Sequence, residues 1–217
     1  MLPRGEDGTP ARARLNPGVR RQTKVSQMTL QIAFACLAVF FAHNAVSGFL
    51  PQGADKKEKP EAFSLAGVKY FHRFTKDDQH EYTPDGQENL NAWTDMVTIH
   101  SYRKAKDGEA LAATANAVLE NYKANKALVV KTDSVPRSKD KPAEHLIVVI
   151  FARPEFIEVA FARFRMHEGI GTAVIYSHRV YGKKVGDEMS VWLEKNGPAT
   201  EKNLMKWDAM ASIPSTK

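Results

Sequence analysis

His145-Leu146-Ile147-Val148-Val149-Ile150-Phe151-Ala152 is an almost unbroken apolar run of strand length, and its reading decides the fold. A strand this apolar has no solvated face, so it needs cover on both sides. Two further strand-like stretches follow at once. Arg153-Pro154-Glu155 turns the chain into Phe156–Met166, and His167-Glu168-Gly169 turns it into Ile170–His178. Connections this short join antiparallel neighbours, whereas parallel strands need a long crossover. The segment therefore predicts an antiparallel meander.

Upstream, Leu65–Phe74, Gln79–Thr83 and Met96–Tyr102 read as strands. Pro84-Asp85-Gly86 has the chemistry of a turn, and Asn89–Asp95 reads as a helical turn bearing Trp93. Asp107-Gly108 opens a helix that runs to about Asn125, with Leu111, Ala115, Val118 and Tyr122 stacked on one face. Leu128–Thr132 is the next strand, and 134–143 is a polar loop. Two helices finish the chain. Met189, Trp192 and Leu193 share a face of the first, which Gly197 stops in front of Pro198; Leu204, Trp207 and Ala211 line the second. The expected fold class is α+β: a largely antiparallel sheet of about six or seven strands, packed by one long central helix and two C-terminal helices.

The ends of the chain have a different character. From Val25 to Ala54 there is no Lys, Arg, Asp or Glu, and Thr29–Ala42 is a dense apolar block preceded by Arg20, Arg21 and Lys24. Its length, about 14 residues, suits the core of a signal peptide and falls short of the roughly 20 residues of a comfortable membrane span. Ala45, Ser47 and Gly48 offer a cleavage site. The alternative is an uncleaved anchor from Met28 to Leu50; basic residues ahead of the segment place the remaining chain outside the cytoplasm in either case. The expected organisation is a disordered basic leader over 1–27, a signal segment or anchor over 28–50, a linker over 51–62, a single domain over 63–211 and a disordered tail over 212–217.

Charge and cysteine content exclude several functions. The formal net charge is +6, but Arg4, Arg12, Arg14, Arg20, Arg21 and Lys24 in the leader outnumber Glu6 and Asp7, so most of the excess lies outside the domain. Nucleic-acid binding would require a dense basic stripe on the domain itself. The one cysteine, Cys36, falls inside the apolar block. The domain therefore has no disulfide, no thiolate-ligated zinc and no cysteine nucleophile.

The order of elements resembles the PsbP/DcrB-like α/β/α sandwich of small exported proteins. Tyr82-Thr83-Pro84-Asp85-Gly86 and the following Asn91-Ala92-Trp93-Thr94-Asp95-Met96-Val97-Thr98-Ile99 look like the passage from loop to strand in such domains. The resemblance implies a non-catalytic accessory or binding role and carries no site residues with it.

A search for chemistry assigns no catalytic, cofactor-binding or metal-ligating residue. His72, His80, His100, His145, His167 and His178 form no His-Glu-x-x-His. Gly169-Ile170-Gly171-Thr172 opens a strand, whereas a phosphate-binding turn opens a helix. Asp77-Asp78 and Asp187-Glu188 fall in a loop and at a helix start. Trp93, Trp192 and Trp207 have the spacing of packing residues. If scattered side chains build a site, the first four to inspect are His100 and His178, which could meet in space, and Arg163 and Arg165, on one strand face with Glu158 nearby. The expected function is an exported, periplasmic or cell-envelope binding module without cofactor, whose partner is another envelope protein. The alternatives are a small-ligand carrier or enzyme, and a membrane-anchored component of an envelope assembly.

Overall fold

The computed structural model describes residues 62–208; the leader, the apolar segment, the linker up to residue 61 and the tail from residue 209 lie outside the described residues. Among the described residues no helix is long and apolar enough to cross a membrane.

Eight strands form one antiparallel sheet: β1 (Ala62–Leu65), β2 (Val68–Lys76), β3 (Gln79–Pro84), β4 (Asp95–Tyr102), β5 (Leu128–Val135), β6 (Glu144–Ala152), β7 (Phe156–His167) and β8 (Ile170–Tyr181). Their order across the sheet is β1-β2-β3-β4-β8-β7-β6-β5. Two helices complete the fold, α1 (Gly108–Ala124) between β4 and β5 and α2 (Val185–Lys206) after β8. The β6-β7-β8 meander is as expected, and β6 is covered on both faces. Leu146 and Val148 belong to the core beneath α2, while Ile147, Val149 and Phe151 belong to the core beneath α1.

Three expectations are corrected. The sheet has eight strands instead of six or seven, because Leu65–Phe74 is interrupted by a two-residue hairpin turn. Ala66 (φ 52°) and Gly67 (φ 81°) both take positive φ, the geometry that matches the twist of flanking strands, and Leu65 pairs with Val68 across them. Asn89–Asp95 forms an irregular loop instead of a helical turn up to the start of β4. The third concerns the carboxy terminus, where one helix of 22 residues replaces two. Pro198 sits inside it, and Gly197 continues the helix. A proline disfavours helix at the preceding residue by crowding that residue's N–H and Cβ, and glycine lacks the second of these.

The helices start for local reasons. Asp107 caps α1 by accepting from the Ala110 amide at 2.8 Å, and Glu109 stands in the first turn. Asp187 and Glu188 occupy the first turn of α2, where the helix dipole favours anions.

Helix α2 forces the sheet to curl. Trp207, just past its end, donates from Nε1 to Ser64 O of β1 at 2.9 Å, and Glu201 accepts from Lys131 Nζ of β5 at 2.7 Å. β1 and β5 are the outermost strands. Six residues advance a helix by about 9 Å, whereas a flat sheet of eight strands would hold its edges roughly 33 Å apart. Side chains of a few ångströms cannot close that gap, so the sheet wraps around α2. The enclosed core contains Phe63, Tyr82, Val97, Val159, Phe161, Val174, Met189 and Leu204. On the opposite face, α1 packs against β6 and β7 and reaches Ala173 and Ile175 of β8.

A close approach tests this arrangement. Gly171 donates to Ala105 O at 2.7 Å, and a Cβ at Gly171 would stand 2.7 Å from Ala105 Cβ and 3.1 Å from Leu111 Cδ1. Gly171→Ala is expected to lower unfolding free energy by about 1–3 kcal/mol. Urea unfolding should show a reduced midpoint with an unchanged slope.

Candidate functional site

Polar side chains converge where β4 begins and β8 nears its end. Asp95 pairs with His178 in the ladder, and its carboxylate gathers several donors on the α2 face. Tyr176 Oη donates to Oδ1 at 2.7 Å, and His178 Nδ1 lies 3.0 Å from the same oxygen. Thr94 Oγ1 donates to Oδ2 at 2.9 Å. Burial opposes ionisation of Asp95, but the bonds from His178 and Tyr176 outweigh it and hold the carboxyl at about 2, below its ordinary 3.8. An ionised carboxylate only accepts, so Nδ1 of His178 carries the proton. The His178 ring stacks on Trp192 of α2 at 4.1 Å and 10°. Burial, and then the charge of Asp95, push the Tyr70 and Tyr176 hydroxyls up, so both stay protonated. The same loop is pinned by Gln87, whose Oε1 accepts from the amides of Thr94 at 2.8 Å and Asp95 at 2.9 Å.

The next residue of β8 faces the other way. Arg179 is buried between two rings, 3.8 Å from the centre of Trp93 and 4.1 Å from that of Phe156. Its Nε donates to Glu158 Oε2 at 2.8 Å. Glu158 is only 3 % exposed, and its Oε1 has no hydrogen-bond partner among the described residues. Glu81 lies within reach of both charges. Burial raises its carboxyl, a hydrogen bond from Gln79 and the charge of Arg179 act against that, and Glu158 adds to the rise.

The four residues singled out for a scattered site do not converge. His100 lies on the α1 face, its ring 4.5 Å from that of Tyr102, whereas His178 lies on the α2 face, so the two do not meet. Burial lowers the pKa of His100. Arg163 shares the α2 face with His178 but pairs with Val174, four positions along β8 from His178. It is not solvated: it is 3 % exposed and closes the end of α2. Its Nη1 donates to the carbonyls of Leu204 at 2.9 Å and Trp207 at 2.7 Å, and its Nε to Glu144 Oε2 at 2.7 Å. Arg165 reaches Asp208 Oδ1 at 2.6 Å. Glu158, expected beside these arginines, faces away from them toward Arg179. Both arginines are thus engaged by helix-end carbonyls and carboxylates, although Nε of Arg165 is buried with no hydrogen-bond partner among the described residues.

A second feature lies at the far edge. Between α1 and strands β5 and β6 runs a groove of about 370 Å³, lined by Ala115, Asn116, Leu119, Thr132, Ser134 and His145 among others. Ser134 Oγ lies 2.9 Å from His145 Nδ1. Burial lowers the pKa of His145, and its Nε2 is buried with no partner among the described residues. β5 is the outermost strand, and Leu128, Val130 and Val135 on it are exposed.

A protein-family model matches residues 58–209, from just before β1 to just past the end of α2. The chain belongs to that family. No curated protein matches the sequence. Among solved structures, the Ran-binding protein Mog1p of Saccharomyces cerevisiae is similar at 14% identity and a TM-score of 0.40, covering 67% of this chain and 90% of that one. A point mutant of Mog1 is similar at 14% identity and 0.35, over 68% and 89% of the two chains. Human STARD10 follows at 7% identity and 0.29, over 64% and 74%. At these TM-scores the likenesses decide neither fold nor function.

Chemically, the β4–β8 junction is an ion-pair and hydrogen-bond knot on both faces of one strand pair. Among the described residues no group of three or more His, Cys, Asp or Glu side chains is arranged to hold a metal ion. The sequence reading does not single out Asp95 and sets Glu158 beside Arg163 and Arg165 instead of Arg179, whereas Trp93, read as a packing residue, is buried. Their partners lie 81 positions away for Asp95 and Tyr176, and 21 for Glu158 and Arg179. The available signal was Tyr176-Ser177-His178-Arg179 itself. Polar residues on both faces of a strand that follows an apolar run demand buried partners on both sides.

Two measurements check this account. The carboxyl of Asp95 is held below its unfolded value, so its contribution to stability is complete above about pH 4 and disappears as pH falls toward about 2. Asp95→Asn should cost about 2 kcal/mol at neutral pH and flatten the acid limb of the unfolding curve. Arg179→Met leaves Glu158 buried without its counter-charge and should cost about 3–5 kcal/mol, part of which the added change Glu158→Gln restores.

Proposed function

We propose that this chain is an exported, non-catalytic binding module of the cell envelope that takes an extended protein segment along the edge of β5. The observation that carries this reading is the open edge itself. An outermost strand offers unpaired amides and carbonyls, and here Leu128, Val130 and Val135 add exposed apolar surface. In strand addition the main chain supplies affinity, and pockets for alternate side chains supply selectivity. The groove beneath α1 lies against that edge, and Thr132 and Ser134 of β5 line it. His145 of β6 lines the groove as well. The apolar Thr29–Ala42 block behind its basic residues supports the export half of the reading. The resemblance to PsbP/DcrB-like accessory proteins points the same way.

The β4–β8 knot supports a binding role over catalysis. The oxygens of Asp95 are engaged by Tyr176, His178 and Thr94, and the guanidinium of Arg179 is enclosed by rings and a carboxylate. These groups hold the loop before β4 in place.

A photo-crosslinking side chain at Leu128 tests the proposal in the cell that makes the protein. Adducts are expected from Leu128 and not from Val191, which is equally exposed but lies on α2. Equal capture from both positions, or none from Leu128, would sink the reading.

A further inference from the structure

We infer that the segment pairing with β5 is β5 of a second copy of this chain, antiparallel about a two-fold axis centred on Thr132. This rests on the edge-docking reading above and names its occupant.

In an antiparallel pair related by a two-fold axis perpendicular to the sheet, opposed residues share a face, so the axis passes beside one residue and its own copy. Lys131 and Asp133 of β5 lie on the same face, on either side of Thr132. Centring on Lys131 would oppose two ammonium groups, and centring on Asp133 would oppose two carboxylates. Centring on Thr132 sets Lys131 opposite Asp133 of the partner subunit, and Asp133 opposite the partner's Lys131. Opposite charges across a pair stabilise it and like charges destabilise it, so the two neighbouring registers are penalised and one is favoured twice. Thr132 then faces its own copy, a pairing that hydroxyl side chains favour.

The neighbouring residues fit the same occupant. The Lys131 ammonium already lies 3.4 Å from Asp133 Oδ2 of its own chain and 2.7 Å from Glu201 Oε1, so it stands over the α2 face at the edge. Exposed Leu128, Val130 and Val135 flank the charged centre on both sides. A charged pair in the middle of an apolar edge rejects an uncharged strand and accepts one that carries the reversed order of charges. β5 read backwards carries that order.

Sedimentation of the full chain over a concentration series tests the pairing, in mild detergent so that residues 29–42 do not drive association. All variants are made in a Glu201→Gln background, because Lys131 also bonds Glu201. The parent chain should sediment at twice its mass. Asp133→Lys should raise the dissociation constant roughly ten- to thirty-fold, and adding Lys131→Asp should return it to within about threefold of the parent. A parent that stays monomeric, or a dimer indifferent to the charge exchange, overturns the inference. The crosslinker at Leu128 separates the two failures. Adducts with a different protein overturn self-pairing and leave the binding module standing, whereas no adduct overturns both.

Discussion

A sheet of eight strands has two faces to keep dry, and within residues 62–208 only two helices are available to cover them. On one face the solution is curvature. The sheet wraps α2, so that a single helix meets both outermost strands through Trp207 and Glu201. Arg163 holds that helix at its end by taking two of its terminal carbonyls, which are otherwise short of donors. On the other face α1 covers β6, β7 and part of β8, and the remainder must be roofed by side chains. Trp93, stacked on Arg179, supplies part of that roof, which explains why a loop with no regular structure carries a buried tryptophan.

This also explains why charge is buried where a larger helical layer would have used leucine. Arg179 can lie between Trp93 and Phe156 because a guanidinium is planar and weakly hydrated, and its charge is answered by Glu158. Such a pair adds little net stability over a well-packed apolar substitute. Its effect is on arrangement. With a flat cation at that point, the loop that ends at Trp93 has one place to sit, and Asp95 is delivered to Tyr176 and His178 on the opposite face. The two halves of the knot are thus coupled through the backbone, over Trp93-Thr94-Asp95 leading into β4 and from His178 to Arg179 on β8.

Periodicity made most of this fold legible. The apolar run at 145–152, the meander after it and the Leu111–Tyr122 face of α1 were readable because burial on a regular element imposes a period on the residue types. The misreadings arose where no period is involved. Ala66-Gly67 makes a hairpin turn without the asparagine or aspartate that usually announces one, and so two strands read as one. Gly197-Pro198 has the composition of a helix stop, yet the helix continues through it, and the missing Cβ relieves part of the clash that makes such a stop. The knot was illegible for another reason. Asp95 gives no local sign of meeting Tyr176 and His178, because that meeting is set by the β4–β8 pairing, which joins strands separated by α1 and by the whole β5-β6-β7 segment. Alternation sets Arg163 and Arg165 on one strand face and leaves open what covers that face, which is the end of α2.

The β5 edge is also shaped by what must be kept from water. Folded proteins blunt an exposed edge with charge and with bulges, and β5 has both, with Lys131 near its middle and a register shift between Val129 and Lys131. An edge blunted only for solubility has no need of exposed Leu128, Val130 and Val135, nor of a groove opening beside it. Polar residues at those three positions would remove apolar surface from water at no cost to the ladder with β6, since the backbone makes that ladder. Apolar residues retained at the ends, with a charged pair of defined order between them, fit an edge that is closed to most strands and open to one.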